Sequence, residues 1–355
     1  MPQTGIQDTN AAMPHIATNA GAHGPILRPS RPRVALAFAA VYVIWGSTYL
    51  AIRFGLETIP PFFLAGIRFT IAGTALYWWM RWHGVASPSK AQWRAAAIIG
   101  ALLFLLGNGA LTWSELRVPS GVASLLVSTL PIWMVLITHA QQKARHQTVR
   151  LGKRVMAGLA VGLAGVSLLI GPSNVLGHGG VDGIGATVLL LGSMAWTLGS
   201  IYSPKVGLPQ STMMAAAMEM ICGGVMLILL GIVTGETRSV RIDAISARSI
   251  LGLIYLITFG SWLGFTSYNW LLTHSTPARV STYAYVNPVV AVFLGWAIAG
   301  ETVSTRTLTA AALVVAAVAL IITHREHAPT PQSDMAPSPP PAPEDQETPL
   351  MLPLD

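Results

Sequence analysis

The chain has 355 residues, of which 52% are apolar and only 10% are charged, and its formal net charge at pH 7 is +7. Soluble domains carry about 25% charged residues, so this composition excludes an ordinary soluble protein. The basic residues lie in short segments between apolar runs and form no continuous stripe, which also excludes nucleic acid as a partner.

Apolar runs of about 20 residues, each long enough to cross roughly 30 Å of hydrocarbon, follow one another along the chain. In windows of about 19 residues they predict ten transmembrane helices in an all-α integral membrane protein embedded in a lipid bilayer. The predicted helices cover residues 34–53, 62–81, 93–113, 120–138, 155–171, 184–203, 211–233, 249–271, 279–298 and 307–323.

The two ends of the chain differ from this apolar part. Residues 1–33 lack the apolar core of about 7 to 15 residues that a secretory signal needs, so they predict a disordered cytoplasmic arm before an uncleaved first helix. Residues 328–355 are rich in proline and acidic residues and predict a disordered cytoplasmic tail.

The apolar part repeats itself. A shift of 151 residues aligns its first helices and a shift of 157 aligns its later ones, with the difference absorbed by one loop. The two repeats are residues 34–171 and 184–323, and five helices in each require the second repeat to be inverted. Matched pairs are Trp45 with Trp196, Arg68 with Glu219, Gly73 with Gly224, Gly107 with Gly264, and Pro131 with Pro288.

Basic residues predict the orientation. With the N-terminus in the cytoplasm, the cytoplasmic segments hold fourteen Lys and Arg residues and the opposite segments hold six, leaving Arg68 inside helix 2. Lys and Arg accumulate on the cytoplasmic side of membrane proteins. We therefore expect a multi-pass protein of the inner (plasma) membrane with both termini in the cytoplasm.

Motifs of enzymes are missing from the sequence. No HExxH, GxSxG or Walker-type GK[ST] occurs, and no His, Asp or Glu cluster lies at one membrane face. The single Cys222 excludes an internal disulfide and a cysteine-based zinc site. We expect no enzyme, no cofactor and no metal site.

Two ionisable residues lie at membrane depth, Arg68 in helix 2 and Glu219 in helix 7. A charge there costs roughly 2.5 to 3.5 kcal/mol, so each should face a cavity or a partner. We expect the two side chains to face each other across a central cavity. They could form a static ion pair, or each could reach backbone carbonyls separately. Our hypothesis is a working site, in which Arg68 binds an anionic substrate group and Glu219 exchanges a proton or a substrate amine.

Further candidates for the substrate pathway are polar or aromatic. Pro131 and Pro288 should kink helices 4 and 9, either as hinges or merely as helix shape. Small residues in helices 5 and 10 permit close helix contact, either as packing or as the surface of a homodimer. The remaining candidates, each with packing or interhelical hydrogen bonding as the alternative, are Trp45, Ser47, Asn108, Trp196, Tyr283, Tyr285 and Asn287.

Several motifs resemble one known family. The segments Trp45-Gly46-Ser47-Thr48-Tyr49, Ala65-Gly66-Ile67-Arg68-Phe69, Gly107-Asn108-Gly109, Val118-Pro119-Ser120-Gly121-Val122-Ala123-Ser124 and Ser281-Thr282-Tyr283-Ala284-Tyr285-Val286-Asn287-Pro288 look like EamA-type members of the drug/metabolite transporter superfamily, especially its YedA-like exporters. The resemblance implies two inverted five-helix repeats, cytoplasmic termini, and export of amino acids, related metabolites or drugs by alternating access. In that pattern an acid follows helix 9, matched here by Glu301.

The sequence thus predicts a secondary transporter that exports a small metabolite, driven by protons or a counter-substrate. An importer or facilitator would share these features, because they do not report direction. From a different class, a non-transporting scaffold or receptor would make Arg68 and Glu219 dispensable.

Overall fold

A computed structural model describes residues 31–144, 152–170, 182–274 and 283–322. The predicted tail and nearly all of the predicted N-terminal arm lie outside the described residues. Within the described ranges the structure consists of helices and their connections, without strands. This confirms the predicted all-α class.

Ten helical spans, named α1 to α10 here, correspond to the ten predicted helices. By length and composition alone, six of them (α1, α3, α4, α6, α7 and α8) are able to cross a membrane. The largest difference from prediction is at the end of α4, because its backbone stays helical beyond the apolar window. The spans are Arg31–Gly55, Pro61–Trp82, Lys90–Ser114, Ser120–Ala144, Lys153–Ile170, Gly183–Tyr202, Thr212–Val233, Ala247–Tyr255 continued to His274, Tyr283–Ala299 and Thr305–Ile322.

Side chains just before four helices fix where those helices begin. Ser89, Ser211 and Ser246 each accept a hydrogen bond from the N–H of the third helical residue of α3, α7 and α8. Asp182 does the same for α6. These caps satisfy backbone donors that a helix leaves free in its first turn, so local sequence sets these starts.

The contact between α2 and α7 shows that the two repeats are inverted. These helices are repeat mates, yet α2 begins where α7 ends, since Phe62 and Phe63 donate their N–H groups to Glu236 just beyond α7. The halves also interlock. Helix α1 packs on α8 and α9, and its mate α6 packs on α3 and α4.

Glycines let α2 and α7 approach closely. Gly66 lies against Gly224, and Gly73 lies against Ala217. A Cβ atom at Gly73 would lie 2.8 Å from the carbonyl oxygen of Ala217, too close for any other residue. The 151-residue shift turns Gly66 into Ala217 and Gly73 into Gly224, so this contact is symmetric between the repeats.

Helices α5 and α10 pack against each other. Gly162 lies against Ala317, and Gly165 lies against Leu313 and Val314. Small residues permit such close approach of helix backbones. The small-residue faces that the sequence offered for packing or a homodimer are therefore used within one chain.

Repeat mates α3 and α8 each contain a π-helical segment, Ala101–Asn108 and Leu256–Leu263. Adding 157 to the first range gives 258–265, so the two segments overlap. Wide π turns within α-helices often occur at functional sites. Hydropathy carries no signal for them.

The two equivalent prolines shape their helices differently. α4 consists of Ser120–Val127 and Leu130–Ala144, and Pro131 lies in the first turn of the second piece. Pro288 lies inside the continuous helix α9. A first-turn proline removes no helical hydrogen bond, whereas an internal one does. The interruption of α4 thus comes just before Pro131, and a hinge role for either proline stays a prediction.

Candidate functional site

A cavity of about 120 Å³ lies between the two halves of the bundle. Its lining comes from α1, α2, α3, α4, α6, α8 and α9. Helix α7, whose Glu219 was expected to face Arg68 across the cavity, contributes no lining residue. The predicted pathway residues that the structure brings together here are Trp45, Arg68, Asn108, Trp196, Tyr283 and Asn287.

Two tryptophans enter this cavity in equivalent ways. The indole of Trp45 lies against Gly264 of α8, and the indole of Trp196 lies against Gly107 of α3. Both members of each matched pair therefore make the same contact across the halves. Trp45 also donates its Nε1–H to the carbonyl oxygen of Gly260 at 3.2 Å, in the π segment of α8. The indoles line the cavity where the repeats meet.

Arg68 is the charged residue of the cavity wall, and its side chain is buried. Its Nε–H donates to the hydroxyl of Ser261 at 3.0 Å, and its guanidinium lies 4.6 Å from the ring centre of Phe69. None of the three salt bridges found among the described residues involves Arg68. A buried cation without a paired carboxylate favours an anionic ligand.

Polar side chains on the cavity wall do not occupy matched positions in the two repeats. The side-chain amide of Asn108 donates to the carbonyl oxygen of Leu103 at 3.4 Å, while its repeat mate is the apolar Phe265. Asn287 is buried on the cavity wall, and its Oδ1 has no hydrogen-bond partner among the described residues. Symmetric positions therefore carry asymmetric chemistry, as an orienting site requires.

Glu219 does not face Arg68, which corrects the expectation from the sequence. It lies outside the cavity lining and accepts a hydrogen bond from the hydroxyl of Ser203 at 3.2 Å. The reason is the inversion itself: Arg68 lies seven residues after the start of α2, and Glu219 lies seven residues after the start of the oppositely directed α7. Equivalent residues of inverted helices lie at the same depth only at the midplane.

Among the described side chains, the candidate Ser47 does not line the cavity. The hydroxyl of Ser47 lies 2.6 Å from the hydroxyl of Tyr255, a contact between α1 and α8. The contact agrees with interhelical hydrogen bonding, which was the alternative to a pathway role for Ser47. Tyr285 belongs to α9, and its side chain lies outside what the structure describes.

Sequence reasoning missed Glu115. It follows the last residue of α3, is 0% exposed, and interacts electrostatically with Arg68. Depth in an apolar run identifies acids inside a helix, whereas Glu115 lies at a helix end. Its position between the apolar span α3 and the start of α4 could have identified it as a candidate.

Two further acids, Glu236 and Glu301, cap helices of the first repeat. Glu236 accepts from the N–H groups of Phe62 and Phe63 at 3.1 and 3.0 Å, at the start of α2. Burial raises the pKa of Glu236, although these two hydrogen bonds oppose the shift. Carboxylates at helix N-termini satisfy free donors and the helix dipole.

Glu301 makes the same arrangement at α4. Its two carboxylate oxygens accept from the N–H groups of Ser120 and Gly121 at 2.8 and 3.2 Å. The available signal was a repeated Gly-Glu-Thr, residues 235–237 and 300–302, placed just after a span.

The fold and the site together define a polytopic membrane transporter: two inverted five-helix repeats surround a central cavity with a buried, unpaired cation on its wall. The chain matches the EamA-like transporter family twice, over residues 32–171 and 183–323, and it belongs to that family. The two matched segments confirm the predicted repeats.

Individual relatives agree with this assignment. The chain is 38% identical over 287 residues to "Uncharacterized inner membrane transporter YedA" of Escherichia coli (strain K12), covering 80% of this chain and 89% of that protein. It is 26% identical to "Probable amino-acid metabolite efflux pump" of Salmonella typhimurium (strain LT2), covering 78% and 90%. A solved structure described as "Crystal structure of protein" has 20% identity and a TM-score of 0.55, covers 82% of this chain and 96% of its own, and shows the fold alone.

Proposed function

We propose that this protein is a secondary active transporter that exports small amino-acid-like metabolites across the inner membrane. Arg68 carries the proposal, because its buried guanidinium lines the cavity between the halves and pairs with no carboxylate of the described residues. A substrate carboxylate would supply that partner through charge-assisted hydrogen bonds. Asn287, whose Oδ1 is unpartnered within the described ranges, would accept from a substrate N–H group.

The mechanism that fits this arrangement is alternating access around the cavity. Inverted repeats that interlock can exchange their packing, so that the cavity opens to one side and then to the other. Protons or a counter-substrate would drive the cycle. The name of the Salmonella relative, a probable amino-acid metabolite efflux pump, supports both the proposed substrate class and the proposed direction of transport, which is export.

The proposed topology has both termini in the cytoplasm. It rests on the excess of Lys and Arg in the cytoplasmic segments. With this orientation, Glu236 and Glu301 lie at the periplasmic end of the bundle, and the N-terminus of α3 lies at the cytoplasmic end.

Counterflow in proteoliposomes tests the proposal. Vesicles loaded with unlabelled amino acids should accumulate the matching labelled amino acid when they contain the wild-type chain. Arg68→Gln should reduce the initial rate about 10- to 100-fold, since a hydrogen bond to a charged group contributes about 1.5 to 3 kcal/mol. Arg241→Gln removes an exposed arginine and should leave the rate unchanged.

The alternatives give other results. An importer or facilitator would also exchange substrate in vesicles. Cells that overproduce such a protein would not, however, show a lower content of the amino acid. A scaffold or receptor would show no counterflow with any amino acid, and this outcome would reject the proposed function.

A further inference from the structure

Glu115 lies between the end of α3 and the start of α4. It immediately follows Ser114, the last residue of α3, and its side chain is fully buried. Neither carboxylate oxygen has a hydrogen-bond partner among the described residues. A buried carboxylate without partners is unusual, because burial of an unsatisfied acceptor costs about 1 to 3 kcal/mol, and more when it is charged.

Four ionisable groups face Glu115. Arg53 of α1 donates its Nη1–H to the backbone carbonyl oxygen of Glu115 at 3.1 Å. Arg68 of α2, Glu301 beyond α9 and Tyr49 of α1 interact with its carboxyl group electrostatically. From the side of α6, Asp182 is occupied by Arg117, at 3.6 Å.

These surroundings oppose one another. Burial and Glu301 favour the neutral, protonated carboxyl, whereas Arg53 and Arg68 favour the carboxylate. Burial is the largest of these influences and raises the pKa of Glu115, whereas Arg68 lowers its proton affinity, so an anion that neutralises Arg68 raises that affinity further. Arg68 also lines the cavity, so a bound substrate can act on Glu115 without touching it.

We propose that Glu115 is a proton-binding site, and that it takes up a proton when the substrate carboxylate binds Arg68. The proposal rests on the proposed function of Arg68. The proton comes from water on the side to which the cavity is open, forms an O–H bond on one Glu115 oxygen, and returns to water when the substrate leaves on the other side. No other bond changes.

This coupling has a defined sign. The substrate anion raises the proton affinity of Glu115, and by linkage the proton raises the affinity for the anion by the same factor. Proton and substrate therefore cross together, and a zwitterionic amino acid with its proton carries one positive charge. An inward proton gradient would oppose outward movement of this pair, so of the two driving partners proposed above, net export would use exchange for a second substrate.

Infrared difference spectroscopy of the purified full chain tests the proton site without any substrate. Spectra recorded during acidification should contain a band of a buried protonated carboxyl group. Glu115→Gln should remove this band, and Asp243→Asn, which changes an exposed carboxyl group, should leave it in place. If the Glu115→Gln spectrum keeps every carboxyl band of the wild type, the proton site is not Glu115, whatever the protein transports.

Proteoliposomes test the coupling, with the labelled amino acid that the wild-type chain exchanges fastest. An inside-alkaline gradient should drive accumulation of up to about tenfold per pH unit with one proton per substrate. Glu115→Gln should abolish this accumulation but retain counterflow, because exchange needs no net proton movement. Asp243→Asn should behave as the wild type does, since Asp243 is exposed.

Three outcomes are decisive. Gradient-driven accumulation by Glu115→Gln at the wild-type level would overturn the coupling. Accumulation driven only by an inside-acid gradient would overturn its sign. If the wild type shows no counterflow, the proposed function fails, while the infrared result still decides whether Glu115 binds a proton.

Discussion

The two ends of the bundle differ in the side-chain hydrogen bonds that connect the two repeats. At the end where α2 and α4 begin, called the capped end here, Glu236 and Glu301 of the second repeat cap helices of the first repeat. At the opposite end, the shifts of 151 and 157 place Val85 and Ala144 at the equivalent positions. Neither of these can accept a hydrogen bond through its side chain.

The difference separates what the duplication kept from what it changed. Gly84 and Gly235 are repeat mates and share a left-handed backbone, with φ of 82° and 81°. Val85 packs near Met214 in the first turn of α7, a place like the one that Glu236 occupies at α2. The chain path is therefore common to both halves. The carboxylate–backbone hydrogen bonds between the repeats occur at the capped end, so we expect more free energy to be needed to separate the repeats there than at the opposite end.

Removing the Glu301 cap should have the largest effect on this comparison. Glu301→Ala leaves the N–H groups of the buried Ser120 and of Gly121 without acceptors, at a cost of about 2 kcal/mol in the free energy of unfolding. Tryptophan fluorescence during denaturant unfolding in mixed micelles measures the loss. Glu301→Gln keeps one side-chain oxygen acceptor and should lose about half as much.

If Glu301→Ala and Ala144→Ser lowered the free energy of unfolding equally, the Glu301 carboxylate would not be what stabilises the capped end. The serine variant changes the equivalent position at the opposite end, where the described residues show no such cap.

Alanine at the equivalent glycines tests whether the chain reversals are alike. Gly84→Ala and Gly235→Ala both force a left-handed backbone on a residue with a Cβ atom, and neither Cβ would meet another atom within 4 Å. Each should lose about 1 kcal/mol in the free energy of unfolding. A much larger loss at Gly235, measured in the same way, would show that the position of Glu236 depends on that glycine.

The architecture could be predicted from the sequence because it depends on patterns within the chain. Apolar runs set the spans, and Gly73 and Gly224, which the repeat aligns, both lie in the contact between α2 and α7. Both features follow from the short range of hydrophobic and small-residue packing. The matched pair Trp45 and Trp196 likewise lines the cavity.

The site could be predicted only in part, because it depends on distances between segments far apart in sequence. Arg68 was found from its depth, but its pairing with Glu219 assumed that repeat mates meet, which inversion prevents away from the midplane. Glu115 and the cap made by Glu236 were missed, since their partners are identified only by the folded chain. The π segments have no pattern in hydropathy at all.

A local cap provides a smaller test at the opposite end. Ser211→Ala removes the acceptor for the N–H of Met214 at the start of α7 and should lose about 0.5 to 1 kcal/mol in the free energy of unfolding. This should be less than the loss in Glu301→Ala, because one partly buried donor is released rather than two. If Ser211→Ala instead lost more free energy of unfolding than Glu301→Ala, the caps at the capped end would not be the more stabilising ones.

The pH dependence of stability should show the smallest effect, at Glu236. Burial raises its pKa above the ordinary value, and the hydrogen bonds from Phe62 and Phe63 only oppose this shift. A carboxyl group whose pKa is higher in the folded chain contributes most stability below its unfolded pKa of about 4.3, and the contribution is lost as pH rises through the folded value. The wild type should therefore lose stability relative to Glu236→Gln as pH rises from about 4, until the carboxyl is ionised.

The midpoint of thermal unfolding, measured over this pH range for both proteins, gives the sign of the difference. Asp243→Asn is the matched control, since Asp243 is exposed and belongs to the same connection between α7 and α8. If the wild type instead gains stability relative to Glu236→Gln as pH rises, the two N–H groups outweigh burial. Glu236 would then tie the capped end more strongly when it is charged, and the two carboxylate caps would be alike in strength as well as in geometry.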